Sequence, residues 1–142
     1  MNFDYLEIKN NDLFEIKQTH TTNIAICGKT PDIKDETDGV ILHNSCSATI
    51  LNFADCTPVI LYDSENNITA GLHAGWRGTA GQICRCGVKM MKENFNTKPD
   101  KIIAAIGPCI AKEDFETGEE VYEMLRKTVK SNEQEFFTYK NE

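Results

Sequence analysis

Three short runs of apolar and β-branched residues, at 49–53, 58–63 and 68–72, follow one another with only turn-forming clusters between them. Asp55-Cys56-Thr57-Pro58 separates the first two, and Asp63-Ser64-Glu65-Asn66-Asn67 the last two. Runs this short, with breaks this polar, predict adjacent strands joined by loops. Weaker strand signals lie at 14–17, 23–27 and 40–42, and 101–106 reads as a further strand closed by Gly107-Pro108. Helical period appears twice. Ala80, Ile83, Cys84, Val88, Met91 and Phe95 fall three or four apart and so share one face, with Thr79 placed to cap the helix and Gly81 and Gly87 weakening it locally. Val121, Tyr122, Leu125 and Val129 mark a second helix, opened by Gly118 or Thr117. Residues 131–142 are polar and acidic and are expected to fray.

Strands and helices are thus interspersed, with no internal repeat, and the 142 residues are enough for one domain with its own core. The class is α/β or α+β, with 1–142 read as a single domain. Lys and Arg number 15 against 22 Asp and Glu, for a net charge of -7. A chain this acidic, with no basic patch interleaved with aromatics, is a poor partner for nucleic acid or anionic lipid. No segment reaches the roughly 18 apolar residues of a membrane span. Residues 1–7 alternate apolar with polar groups and do not read as a signal peptide, so a cytoplasmic protein is expected. The six cysteines fit that setting, because a core of this size needs no disulfide framework. Cys84 and Cys86, two apart in a helix, would diverge by about 200°.

Chemistry is concentrated at a few positions. Of the three histidines, His43 lies in the polar turn His43-Asn44-Ser45 and reads as solvated. His20 follows Gln18-Thr19 at the end of a strand, and His73 ends the run 68–72 and opens His73-Ala74-Gly75-Trp76-Arg77-Gly78. A lone histidine at a strand end is ordinarily a half-buried, satisfied side chain. Around His73, however, two glycines bracket a tryptophan and an arginine. Glycine there permits a positive φ or close approach of a ligand, and Arg77 offers a fork of donors to phosphate or carboxylate. A helix starting near Thr79 would add free N–H groups to the same spot. At Asp55-Cys56-Thr57-Pro58, Pro58 interrupts the strand ladder, so Asp55 and Cys56 can both turn into a pocket beyond the strand ends. Two histidines and a cysteine suit catalytic zinc, leaving one position for water. The same set also binds blue copper, usually with an axial methionine, but Met1, Met90, Met91 and Met124 lie far from these motifs in sequence.

Ala54-Asp55-Cys56-Thr57-Pro58, His73-Ala74-Gly75-Trp76-Arg77-Gly78-Thr79 and Ile106-Gly107-Pro108-Cys109-Ile110 closely resemble the YfiH-like family, also called the laccase-domain or purine nucleoside phosphorylase family. Gln18-Thr19-His20 resembles its Gln-x-His-Gly element, with Thr21 in place of the glycine. Thr37-Asp38-Gly39 resembles its acidic turn, and the 115–121 segment its Phe-Glu-Val-Gly-x-Glu-Val helix start. The resemblance covers about residues 14 to 127. It implies a layered α-β-β-α sandwich, related in shape to bacterial toxin deamidases, with zinc ligands at His20, Cys56 and His73. It also implies phosphorolysis of adenosine, inosine or methylthioadenosine and deamination of adenosine, beside an older label of copper-dependent polyphenol oxidation. Relatives usually carry an upstream Gly-Gly-Val-Ser element and a downstream one near Ser-Tyr-Arg-Arg, and neither occurs in these 142 residues.

The resulting expectation is a zinc enzyme acting on purine nucleosides, with a zinc-bound water of pKa near ~7 for deamination at C6. Arg77 and the backbone of Gly78 and Thr79 would hold phosphate for attack at C1′. Asp55 would act as acid or base, or only cap the turn, and Trp76 would stack on the base or pack in the core. Asp38 reads as a plain turn residue and Cys109 as a packing one. A second copy of the chain is expected to complete the pocket as a homodimer. Two alternatives stand beside this: an amide hydrolase without metal, with Cys56 as nucleophile and His73 as base, and a metal-binding module without catalysis.

Overall fold

The computed structural model describes residues 13–27, 36–43, 48–129 and 136–138. Its elements in chain order are β1 (Leu13–Glu15), β2 (Ile24–Cys27), β3 (Gly39–Leu42), β4 (Ala48–Ile50), β5 (Thr57–Asp63), β6 (Ile68–Ala74), α1 (Trp76–Ala80), α2 (Ile83–Phe95), β7 (Ile102–Ile106) and α3 (Glu119–Arg126). A 3-10 turn, Pro99–Lys101, leads into β7. Five strands form one mixed sheet in the order β2-β3-β6-β5-β7, parallel between β2 and β3 and antiparallel elsewhere. β1 and β4 pair in parallel as a separate two-stranded sheet. The architecture is α+β with a mixed sheet.

The hairpin of β5 and β6 organises the rest. It pairs from Thr57 opposite Ala74 to Asp63 opposite Ile68. Its turn is pinned by the Asp63 carboxylate, which accepts from the backbone N–H of Glu65 at 2.9 Å and from Asn66 Nδ2 at 2.7 Å. Alternation along the two strands divides the sheet into faces. Val59 and Leu61 join Ile68, Ala70 and Leu72 on one face, where Ile83 and Met91 of α2 complete the main core. Gly87 lets α2 come close, since a β-carbon there would lie 3.0 Å from Leu72. On the opposite face Ala25, Cys27 and Val40 form a smaller cluster with Ile16 and Leu42. His73 lies on this second face, opposite Pro58.

Several local expectations are corrected. The 49–53 run yields a strand only at 48–50, because Leu51 turns to pack over Gly71 and Phe53 to meet the His73 ring. The apolar helical face is split: Ala80 belongs to α1, and the chain breaks at Gly81 and at Gln82, whose φ is 61°. Thr79 therefore lies inside α1, and Gly75 stands at its N-cap. His73 is within β6 rather than at its end, and Pro58 keeps its place in the ladder. Gly118 opens α3, as expected. Cys84 and Cys86 are free thiols, like Cys27, Cys56 and Cys109. The expectations for residues 1–7 and Asn44-Ser45, and that of fraying over most of 131–142, fall outside the described residues. Among the described residues no helix is long and apolar enough to cross a membrane.

Candidate metal centre

The site lies where the β5 and β6 ends meet the 18–23 segment and the start of α1. His73 is fixed by strand pairing and by Asp38: its backbone N–H donates to the Asp38 carbonyl at 2.8 Å, and its Nδ1 is 2.8 Å from Asp38 Oδ1. The Phe53 ring meets its imidazole at a centroid distance of 5.6 Å, and the histidine is buried. Cys56, half-buried, immediately precedes β5. His20, exposed, has a φ of 63° and lies with its ring centroid 4.9 Å from that of His73. Its Nε2 is 3.8 Å from Cys56 Sγ. One ligand atom from each of the three lies within 4.8 Å of the others.

The donor set and spacing fit a tetrahedral ion. Metal–nitrogen distances near 2.0–2.1 Å and metal–sulfur near 2.3 Å would place ligand atoms about 3.4–3.6 Å apart, so a bound ion would draw the three side chains together by up to about 1.4 Å. Three protein ligands would leave a fourth position for water. The glycines of His73-Ala74-Gly75-Trp76-Arg77-Gly78 make this convergence possible. A β-carbon on Gly75 would lie 2.9 Å from His20 Cδ2 and 3.0 Å from Cys56 Sγ, and one on Gly78 would lie 3.3 Å from the His73 carbonyl. No glycine among the described residues has a positive φ, so close approach is what selects glycine at these positions.

Burial, then the charges of Asp55 and Asp38, push the Cys56 thiol up, which keeps it protonated at neutral pH until a cation stabilises the thiolate. Asp38 is fully buried. Burial alone would raise its pKa, but hydrogen bonds from His73, Thr21 and Thr19 outweigh that and bring it to about 2. It is a carboxylate at neutral pH.

The remaining candidates divide. Asp55 is exposed beside Cys56, and its carbonyl accepts from Ile110 N–H at 3.1 Å, which ties the Gly107-Pro108-Cys109-Ile110 strip to the site. Arg77 is exposed, with its guanidinium 4.0 Å above the half-buried Trp76 ring. Thr79 does not offer a free N–H: its amide donates to Gly75 O at 2.8 Å, because α1 has already begun at Trp76. Its residue instead lines a cleft of about 1030 Å³ with Phe115, Tyr122, Leu125 and Phe136. His43 lies outside the cluster, its ring 5.4 Å from Phe95. Met91 is in the main core and Met90 packs against it. Two residues of the site were missed in the sequence. Asp38 is buried against His73 rather than a plain turn residue, and the Thr37-Asp38-Gly39 element was the available signal. Phe53 carried none.

A family model described as multi-copper polyphenol oxidoreductase laccase matches residues 2–142. A purine nucleoside phosphorylase of Bacteroides thetaiotaomicron is 35% identical over 119 residues, covering 78% of this chain and 44% of that protein. Adenosine deaminase RL5, from an unknown prokaryotic organism, is 36% identical over 126 residues, covering 82% and 48%. Among solved structures, the hypothetical protein YfiH of Bacillus licheniformis superposes with a TM-score of 0.87 at 28% identity, over 96% of this chain and 55% of that one. YlmD of Geobacillus stearothermophilus gives 0.84 at 26% identity, over 91% and 52%. The chain spans about half the length of these relatives.

Proposed function

The chain belongs to the multi-copper polyphenol oxidoreductase laccase family, the laccase-domain proteins, and on that premise we propose that it is a zinc-dependent enzyme of purine nucleosides. The observation that carries this is the convergence of His20, Cys56 and His73 within 4.8 Å. The names of the relatives, a purine nucleoside phosphorylase and an adenosine deaminase, supply the substrate class.

In this reading His20 Nε2, Cys56 Sγ and His73 Nε2 hold the ion. A zinc ion bound there supplies Lewis acidity and a nucleophilic water at neutral pH. Deamination of adenosine forms a C6–O bond and breaks C6–N6, and the leaving nitrogen needs a proton. Asp55, exposed beside Cys56, is the carboxyl assigned to carry it. Phosphorolysis forms a bond from phosphate oxygen to C1′ and breaks the bond to N9. The Arg77 guanidinium, with Gly78 at its side, is assigned to the phosphate. Trp76 already presents one ring face to Arg77, so a purine could stack only on the other. The enzyme works in the cytoplasm in this reading. It pairs with a second copy through the apolar side chains left exposed on one face of β5 and the edge strand β7, namely Ile60 at 51% and Ile103 at 63%.

One observation favours a second reading. The 3.8 Å separation of Cys56 Sγ and His20 Nε2 is that of a loose nucleophile–base pair, so in a cysteine hydrolase without metal His20 would stand beside His73 as a candidate base. The raised thiol pKa weighs against it. Product analysis with adenosine, with and without phosphate, on zinc-loaded and chelated protein separates the two. Inosine without phosphate, and free base plus ribose 1-phosphate with it, both lost on chelation, are expected. Full activity in the chelated protein would overturn the zinc reading.

A further inference from the structure

The two histidines of the site are joined by a residue that would contact neither metal nor substrate. Asp38 Oδ1 accepts from the His20 backbone N–H at 2.9 Å as well as facing His73 Nδ1 at 2.8 Å. Its Oδ2 accepts from the backbone N–H of Thr21 at 2.7 Å, from that of Thr19 at 3.2 Å and from the Thr21 hydroxyl at 2.8 Å. Three consecutive amides thus close around one carboxylate, with His20 at their centre in the left-handed region. A non-glycine residue adopts that conformation only where its surroundings hold it, and converging N–H groups around an anion are such a hold.

We infer that Asp38 is the positioning residue that assembles His20 and His73 into a ligand pair before any metal binds, holding His20 through its backbone and His73 through its Nδ1. This rests on the reading of His20, Cys56 and His73 as metal ligands. A carboxylate only accepts, so His73 Nδ1 must carry the proton and Nε2 keeps its lone pair for an ion. On the other side, the carboxylate fixes the backbone from which the His20 ring projects toward Cys56. Thr21 contributes through both its amide and its hydroxyl. In this chain the hydroxyl is a donor that a glycine at that position, as in the Gln-x-His-Gly element, would lack.

Asparagine at position 38 keeps the size but offers one oxygen. Three donors converge on the Oδ2 side, so the amide oxygen settles there, and the NH2 group faces His73 and the His20 amide, whose hydrogen bond to Oδ1 is lost. The NH2 group donates to Nδ1 and forces the proton of His73 onto Nε2, the atom needed by the metal. The experiment is nitrogen-15 NMR of the imidazoles in the metal-free protein, together with zinc titration against a competing chelator. Wild type is expected to show His73 protonated on Nδ1. Asp38→Asn is expected to show it on Nε2, with zinc affinity lower by about 10- to 100-fold. An unchanged tautomer, or zinc affinity within about twofold of wild type, overturns the assignment. Thr21→Val provides a second arm should Asp38→Asn not fold. It is expected to leave the His73 tautomer unchanged, speed amide exchange at His20 and lower zinc affinity by several-fold; unchanged exchange and affinity count against the proposal. Should wild type bind no zinc, the metal reading fails separately, since the tautomer and exchange results are obtained without metal.

Discussion

Gly75 and Cys56 approach so closely that a β-carbon on the glycine would stand 3.0 Å from the cysteine sulfur. The same carbon would be 2.9 Å from His20 Cδ2, so a single methyl group would press on two of the three ligands at once. Gly75→Ala is therefore expected to lose most bound zinc, while overpacking costs about 1–3 kcal/mol of stability. Elemental analysis and thermal unfolding of the variant check both. Full zinc occupancy would show that the ligands give way freely and that the site is looser than its geometry.

About one zinc per chain is expected in wild type, and His20→Ala is expected to lose most of it, since two protein ligands hold the ion far more weakly than three. His20 is the exposed ligand, so its removal disturbs the core little. Equal zinc in the two proteins would remove His20 from the ligand set and overturn the three-ligand site.

Arg77 projects from α1 into solvent with its guanidinium over Trp76. Arg77→Ala is expected to lower phosphate-dependent cleavage by about 10- to 100-fold, the worth of a charged hydrogen bond, and to affect deamination far less. Kinetics with and without phosphate decide it. An equal loss of both, with zinc retained, would make Arg77 a support for Trp76.

Acid should destabilise the metal-free protein over a defined range. Asp38 is held at about 2 in the folded chain against an ordinary value of 3.8. The Asn66 side chain and turn amides likewise hold Asp63 below its ordinary value. With the folded value below the unfolded one, the stabilisation is complete above about pH 4 and is lost as pH falls toward about 2. Denaturant unfolding across that range is expected to show the loss, with a shallower decline in Asp63→Asn. An unchanged slope in that variant would take Asp63 out of the acid response.

Much of this fold was legible because its determinants are local. Short apolar and β-branched runs at 58–63 and 68–72, parted by a polar turn, marked the central hairpin, and three- and four-residue spacing marked α2. The two histidines and the cysteine could be singled out by residue type and by neighbouring glycines. Asp38 could not, because its significance depends on contacts 17 to 35 positions away, to Thr21 and His73. The Thr79 cap failed for a related reason. The helix begins at Trp76 with Gly75 at its N-cap and no side chain capping it, and Gly78 inside it lies against the Thr21 carbonyl from far along the chain.

Association is checked by sedimentation. With Ile103 exposed on an edge strand, concentration-dependent dimerisation is expected, and Ile103→Lys is expected to weaken it. Specific activity that falls on dilution in step with dissociation would tie the pocket to the pair. A fully active monomer would sever the two, and a zinc-loaded but inactive monomer would point to a binding module.

If His20, Cys56 and His73 hold an ion, two imidazoles and one thiolate form a trap whose selectivity is weak. Such a set takes copper(II) more strongly than zinc(II) when both are offered freely. The ion found in a preparation would then record the medium in which the cells grew and the resin used for purification. Two laboratories could isolate this chain with different colours and different side reactions without any difference in sequence.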